Sequence, residues 1–129
     1  MTKIEMIQFR PIGYVENKFN KSVNQEIMRA STSRIVLEPD LVAGLKGLEP
    51  GMEIMVIFYF HLSEGYELLQ RPHRDRRRPQ RGVFALRSPS RPNPIGVTEV
   101  ELISIEDNIL TVQGLDAFNH TPILDLKPM

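Results

Sequence analysis

Val97–Gln113 reads VTEVELISIEDNILTVQ. Apolar and polar side chains alternate over Val97–Ile105, the pattern of a strand with one buried and one solvated face. Glu106-Asp107-Asn108 interrupts the run with three turn-forming residues, and Ile109–Gln113 resumes it. Two such runs joined by so short a polar link make an antiparallel hairpin. No pattern of helical period longer than about two turns occurs anywhere in the chain. The hairpin therefore sets the class: all-β, mainly antiparallel, a small β-barrel with one or two short helices.

Upstream, Met52–His61 (MEIMVIFYFH) is almost continuously apolar. It predicts a central strand buried on both faces, with Phe58 and Phe60 on one side and Tyr59 and His61 on the other. Met6–Glu16 predicts a first strand kinked near Pro11–Gly13, Arg34–Glu38 a second, and Gly82–Arg87 a further one. Asp40 is placed to cap a short helix over Leu41–Leu45 that ends at Gly47. Asn17–Thr32 is polar and aperiodic and reads as a long loop. Residues 1–129 form a single domain, long enough to bury roughly two-thirds of the surface its unfolded chain exposes.

Before the hairpin lies GVFALRSPSRPNPIG, Gly82–Gly96. Pro89, Pro92 and Pro94 remove three backbone donors and fix three φ angles. Each also pushes the residue before it toward extended geometry. The segment is a stiff loop that holds Arg87 and Arg91 in set positions. A guanidinium so held pairs bidentately with a carboxylate or phosphate, and its competing role is to tie down the loop's own carbonyls. Residues 71–91 carry eight of the eleven arginines and one acid, Asp75, a net +7 that the rest of the chain balances to zero. That asymmetry is an electrostatic footprint for a polyanion, with Arg74, Arg76, Arg77, Arg78 and Arg81 as candidate phosphate contacts, the competing reading being a solvated charged loop.

A second cluster, LDAFNHTPILDLKP (Leu115–Pro128), brings Asp116, Asn119, His120, Thr121 and Asp125 together. A carboxylate there can accept ribose hydroxyls or act as a general base; Asp and Asn can equally satisfy turn donors. His61, His73 and His120 are too scattered to argue a metal site, and none is expected. The chain has no cysteine, which excludes disulfides, thiolate nucleophiles and cysteine-ligated zinc. It also lacks a glycine-rich dinucleotide or phosphate loop and a nucleophile elbow. No N-terminal run resembles a signal peptide, and the longest apolar run, Ile54–Phe60, is too short to cross a bilayer. A cytoplasmic protein without membrane attachment is expected.

FALRSPSRPNPIGVTEVEL, Phe84–Leu102, closely resembles the signature of the TsaA/TrmO-like family: GVFATRS, two variable positions, RPNPIG, then an apolar strand ending in VEL. LDAFNHTPILDLKP resembles that family's segment ending DGTPVLDIKP. FRPIGYVEN (Phe9–Asn17) and FYFH (Phe58–His61) fall in the expected order, so the resemblance covers essentially the whole chain. It implies an S-adenosylmethionine-dependent methyltransferase built on a small β-barrel. It further implies a homodimer with the methyl donor near the subunit interface, acting on the exocyclic amine of threonylcarbamoyladenosine beside the tRNA anticodon. The resemblance makes RNA the implied polyanion for the arginine run. Carried over residue by residue, Arg91 binds donor or substrate, Arg87 and Asp116 are the catalytic candidates, and Asp116, Asn119, His120 and Thr121 hold the donor's nucleoside. His61 and Leu62 border the same pocket. The implied reaction is an in-line displacement on the sulfonium methyl, with Asp116 the first candidate base and His120 and His61 behind it. One departure stands out: the family's Asp-Gly-Thr-Pro reads Asn119-His120-Thr121-Pro122 here, which removes a charge and puts a side chain where Gly allows close backbone approach. Readings from another class are a non-catalytic RNA-binding barrel and an interaction domain with a degraded donor pocket; affinity for S-adenosylmethionine separates them from the enzyme.

Overall fold

The computed structural model describes residues 4–20 and 23–129. The strands are β1 (Gly13–Glu16), β2 (Thr32–Leu37), β3 (Glu53–Tyr59), β4 (Leu69–Gln70), β5 (Arg81–Gly82), β6 (Ile95–Glu106), β7 (Ile109–Gln113) and β8 (Pro122–Pro128), with one α-helix, α1 (Gln25–Arg29). Six of them close a barrel in the order β1-β2-β7-β6-β3-β8, while β4 and β5 pair separately as a small ribbon. Every pairing is antiparallel. The hairpin is present with a shorter turn than read: β6 and β7 pair from Glu101 opposite Gln113 to Glu106 opposite Ile109, with a bulge between Leu102 and Ser104, so Glu106 belongs to the strand and Asp107-Asn108 alone make the turn. Closure removes the sheet edges that would otherwise expose unpaired backbone.

The interior is filled by alternate residues of each strand, among them Val15, Ile35, Leu37, Ile54, Val56, Phe58, Val100, Leu102, Leu110, Val112 and Ile123, with Leu115 and Ala117 from the loop before β8. A single-walled barrel has only one inside. The expectation that Met52–His61 is buried on both faces is therefore corrected: Ile54, Val56 and Phe58 point inward, Met55 and Ile57 are half-buried on the outer wall, and Tyr59 is exposed.

The second strand runs over Thr32–Leu37, not Arg34–Glu38, and four other expectations change. The first strand is Gly13–Glu16, not Met6–Glu16. Residues 4–10 are exposed, Pro11 has no N–H to give, and pairing starts where Ile12 N donates to Ile123 O at 2.8 Å. Within Asn17–Thr32 the structure has α1, capped by Asn24, whose Oδ1 accepts from Glu26 N at 2.8 Å, and anchored by buried Met28. Lys21 and Ser22 of that expected loop lie outside the described residues. The Leu41–Leu45 helix is a 3₁₀ segment, Pro39–Leu45. Pro39 opens it, where the missing N–H is no loss, so Asp40 lies inside the first turn and does not cap it; Gly47, at φ 100°, lies just beyond its end. Gly82–Arg87 is not a strand: only Arg81–Gly82 pairs, and Val83–Ala85 coils into a 3₁₀ turn that buries Val83 alone. Among the described residues no helix is long and apolar enough to cross a membrane.

Candidate active site

The site begins with the register of β6. Gly96, Thr98, Val100 and Leu102 share the inward face, and Gly96 lies opposite Phe58 of β3. Phe58 and Phe60 meet edge to face, with ring centroids 5.1 Å apart and planes at 76°. A Cβ on Gly96 would sit 2.6 Å from the Phe60 ring and 2.7 Å from the Phe58 ring, so only glycine lets this aromatic pair lie across the strand. Thr98 is a polar residue on the inward face, and its hydroxyl donates to Asp116 Oδ1. Arg29 Nη2 stands 3.7 Å from Asp116 Oδ2. Gln25 and Arg29, four apart on α1, project from one side of that helix toward the same place.

Above this floor opens a cleft of about 1190 Å³. The proline loop forms its opposite wall. Its prolines have no N–H to donate, and side chains take up several of the loop's carbonyls. Arg91 Nη1 donates to Leu86 O at 2.7 Å and to Ser88 O at 3.2 Å. Ser63 Oγ donates to Pro89 O at 3.0 Å, and Gln70 Nε2 to Ser90 O at 2.8 Å. Phe60 N donates to Pro94 O at 2.7 Å and so ties the loop to the end of β3. Arg91 thus secures its own loop and also lines the cleft; Arg87, exposed on the same wall, has no hydrogen-bond or ion-pair partner among the described residues.

The second block divides. Asp116, Ala117 and Thr121 line the cleft. Asn119 and His120 lie outside that lining and stitch the barrel seam. Asn119 Oδ1 accepts from Asn17 N at 3.0 Å, and its Nδ2 donates to Asn20 Oδ1 at 3.1 Å. Asn17 in turn donates to Ser33 Oγ and Ala117 O, at 3.0 and 2.9 Å. A carboxylate at 119 has no proton to give Asn20, which gives the amide a role in this chain. His120 N donates to Val15 O at 2.7 Å with φ at 70°, a left-handed backbone. The glycine found here in the family's pattern suits that angle; the imidazole itself points to solvent.

His61 and Leu62 lie on the cleft rim. Burial, and then the proximity of His120, hold the His61 imidazole below the ordinary histidine range, so it is neutral at pH 7. The sign of the linkage follows: the unfolded chain takes up this proton first, so stability falls as pH drops below about 6.5. His120→Gly relieves the strained backbone and removes the neighbouring charge. It is expected to raise unfolding free energy by about 1 kcal/mol in urea titrations. It should also move the His61 titration, followed by NMR, upward while leaving it below the ordinary value.

The arginine run sorts into two sets. Arg77 and Arg78 turn back on Asp75, and Arg71 donates to Arg78 O. Arg74, Arg76 and Arg81 are exposed with no side-chain partner among the described residues, and Arg74 lines the cleft. The cleft therefore brings together Arg87, Arg91, His61, Leu62, Asp116, Thr121 and Arg74, and leaves Asn119, His120, Arg76, Arg77, Arg78 and Arg81 outside its lining. Sequence reasoning missed Thr98, Gln25, Arg29 and Gln70. Thr98 carried a signal, being polar at an inward position of an alternating strand. Chemically, the site offers an apolar aromatic floor, a fixed carboxylate on one side, and guanidinium groups on the other.

Residues 14–129 match the family model of the tRNA-methyltransferase O N-terminal domain. A probable S-adenosyl-L-methionine-binding protein of Pyrococcus abyssi is 35% identical over 127 residues, covering 95% of this chain and 68% of that protein. A probable S-adenosyl-L-methionine-binding protein of Methanothermobacter thermautotrophicus is 37% identical over 125 residues, covering 95% of this chain and 89% of its own. A crystal structure of TrmO from Pseudomonas aeruginosa is similar with a TM-score of 0.78 and 29% identity, over 100% of this chain and 57% of that one. The chain thus spans little more than half the length of that solved protein.

Proposed function

The chain belongs to the family of tRNA-methyltransferase O N-terminal domains, and on that premise we propose that it is an S-adenosylmethionine-dependent methyltransferase acting on tRNA. One observation carries the reading. Two motif blocks, Gly82–Gly96 and Leu115–Pro128, send Arg87, Arg91, Asp116 and Thr121 to a single cleft. The residues present suit the donor. The Phe58–Phe60 floor offers an apolar bed for a base, Asp116 is an acceptor for ribose hydroxyls, and the guanidinium wall is complementary to a carboxylate. The names of the relatives support the same ligand.

When bound, S-adenosylmethionine supplies a methyl group already activated for transfer. The protein's work is then alignment. Thr98 and Arg29 hold Asp116 as a fixed acceptor. Arg91, with Nη1 committed to its loop, presents its remaining N–H groups to the cleft, and Arg87 is the second guanidinium, suited to an acceptor that carries its own carboxylate. His61, neutral at pH 7, is the proton acceptor at the rim. The acceptor we assign is the exocyclic amine of threonylcarbamoyladenosine next to the anticodon, with Arg74, Arg76 and Arg81 on neighbouring phosphates.

The functional unit is a homodimer in the cytoplasm. Tyr59, Ile95 and Val97 form an exposed apolar strip across the outer face of paired β3 and β6, with Ile95, Val97 and exposed Leu62 also bordering the cleft, and Phe84 adds a further apolar surface. Such surface is the usual mark of a protein contact.

The test is transfer of labelled methyl to tRNA carrying threonylcarbamoyladenosine and to the same tRNA lacking it. Label should enter the first alone. Salt-sensitive binding of both with label in neither would favour a non-catalytic RNA-binding barrel.

A further inference from the structure

Asp75 is the single acid in the most basic stretch of the chain. A carboxylate at the centre of an RNA-binding surface opposes phosphate, so its presence needs a reason. Its contacts supply one. Oδ1 accepts from both Arg77 N and Arg77 Nε, at 2.9 and 3.0 Å, and Oδ2 from Arg77 Nη2 at 3.1 Å. Arg78 Nε lies 3.9 Å away, and the backbone carbonyl of Arg78 takes the Arg71 guanidinium. Asp75 N donates to Pro72 O at 3.0 Å and Arg78 N to Asp75 O at 3.0 Å, so two turns meet at this residue. Immediately before it, His73 and Arg74 both adopt left-handed backbone, at φ 53° and 56°, and both line the cleft. Two consecutive non-glycine residues hold that conformation only when the surroundings impose it.

We propose that Asp75 is a positioning residue that folds the 71–81 excursion, engaging Arg77 and Arg78 in ion pairs at the surface so that Arg74 faces the cleft and Arg76 and Arg81, without a side-chain partner among the described residues, are the phosphate contacts. The arginine run is then a built surface with a set register, not a cloud of interchangeable charge. The Arg77 hydrogen bonds, and then the Arg78 charge, hold the Asp75 carboxyl below the usual carboxylate range, so the clamp is ionised under all ordinary conditions. The role in RNA binding rests on the function proposed above; the folding of the excursion does not.

Asp75→Asn separates this from plain electrostatics, because the two accounts predict opposite signs. Removing a negative charge from a purely electrostatic surface tightens RNA binding. Removing the organiser weakens it. The excursion lies outside the barrel, so the variant should keep wild-type circular dichroism. Limited trypsin digestion is expected to cut after Arg76 and Arg77 at least about tenfold faster in Asp75→Asn than in wild type, since cleavage follows the opened population; Arg78 precedes Pro79 and is not a cleavage site. Affinity for tRNA should fall about tenfold despite the gain in net positive charge, while binding of a short oligouridylate stays level or tightens. Asp75→Glu, which keeps the charge, should recover part of the trypsin resistance. Unchanged digestion, or tRNA affinity that stays level or rises in Asp75→Asn, overturns the proposal. Faster digestion in a protein whose wild type ignores tRNA would uphold the folding role and remove the tRNA reading of the site.

Discussion

Replacing Arg91 with alanine is expected to lower methyl transfer roughly 10²–10³-fold while leaving the unfolding midpoint of the barrel nearly unchanged. The two halves of that expectation have different origins. Arg91 is half-buried in the cleft wall, and its Nη1 holds the carbonyls of Leu86 and Ser88. Its loss removes a charge from the cleft and frees two carbonyls that the prolines around them cannot help to satisfy. None of its partners belongs to the barrel interior, so the core is untouched. Arg91→Lys should recover little, because a point charge cannot reach two carbonyls and a ligand as a planar fork does. Arg87→Ala makes a useful contrast. Among the described residues Arg87 supports no other group, so its loss should raise KM with little change in loop order. Steady-state transfer assays beside thermal melts of the three variants check the set.

The second large effect is Gly96→Val. Its Cβ would meet Phe60 and Phe58 ring atoms at 2.6 to 2.8 Å, and the side chain adds two methyl groups to that overlap. Overpacking of this kind costs about 1–3 kcal/mol, the upper end applying because both rings are held, one buried in the core and the other tied by its backbone to Pro94. The same change tilts the floor of the cleft. Loss of stability in urea titration should therefore travel with loss of donor affinity. Adding Phe60→Leu to Gly96→Val should recover part of both losses, because the two sites touch and their effects are not additive. The closing glycine of the RPNPIG block is thus explained by what lies over it.

How far the sequence reaches depends on the length scale of each feature. The β6–β7 hairpin is legible because a period of two runs through it and a polar turn breaks it once. The bounds of β7 match the reading, and β6 differs by starting at Ile95 and by running on through Glu106. α1 is hidden because five residues give no period, and β4 and β5 because two residues each give no pattern at all. Met52–His61 misleads because an apolar outer wall looks like a second buried face. The site was half legible. Stiffness of the proline loop and the charge asymmetry pointed to Arg87 and Arg91, whereas Arg29 meets Asp116 only through barrel closure, across a separation that no local pattern encodes. Asp75 was visible, two and three residues before the arginines it pairs with, but the direction in which those arginines turn is a property of the folded excursion.

The cleft between the proline loop and Asp116 is the site proposed for S-adenosylmethionine. Calorimetric titration of the intact chain tests it most directly, with Asp116→Ala and Arg91→Ala beside wild type and Asp125→Ala as a control, since Asp125 pairs with Lys127 at 2.9 Å outside the cleft. The prediction is one saturable donor site per chain, weakened about tenfold or more by Asp116→Ala and by Arg91→Ala and unaffected by Asp125→Ala. A titration of the wild type without heat of binding, or an affinity that ignores both cleft variants, would contradict it.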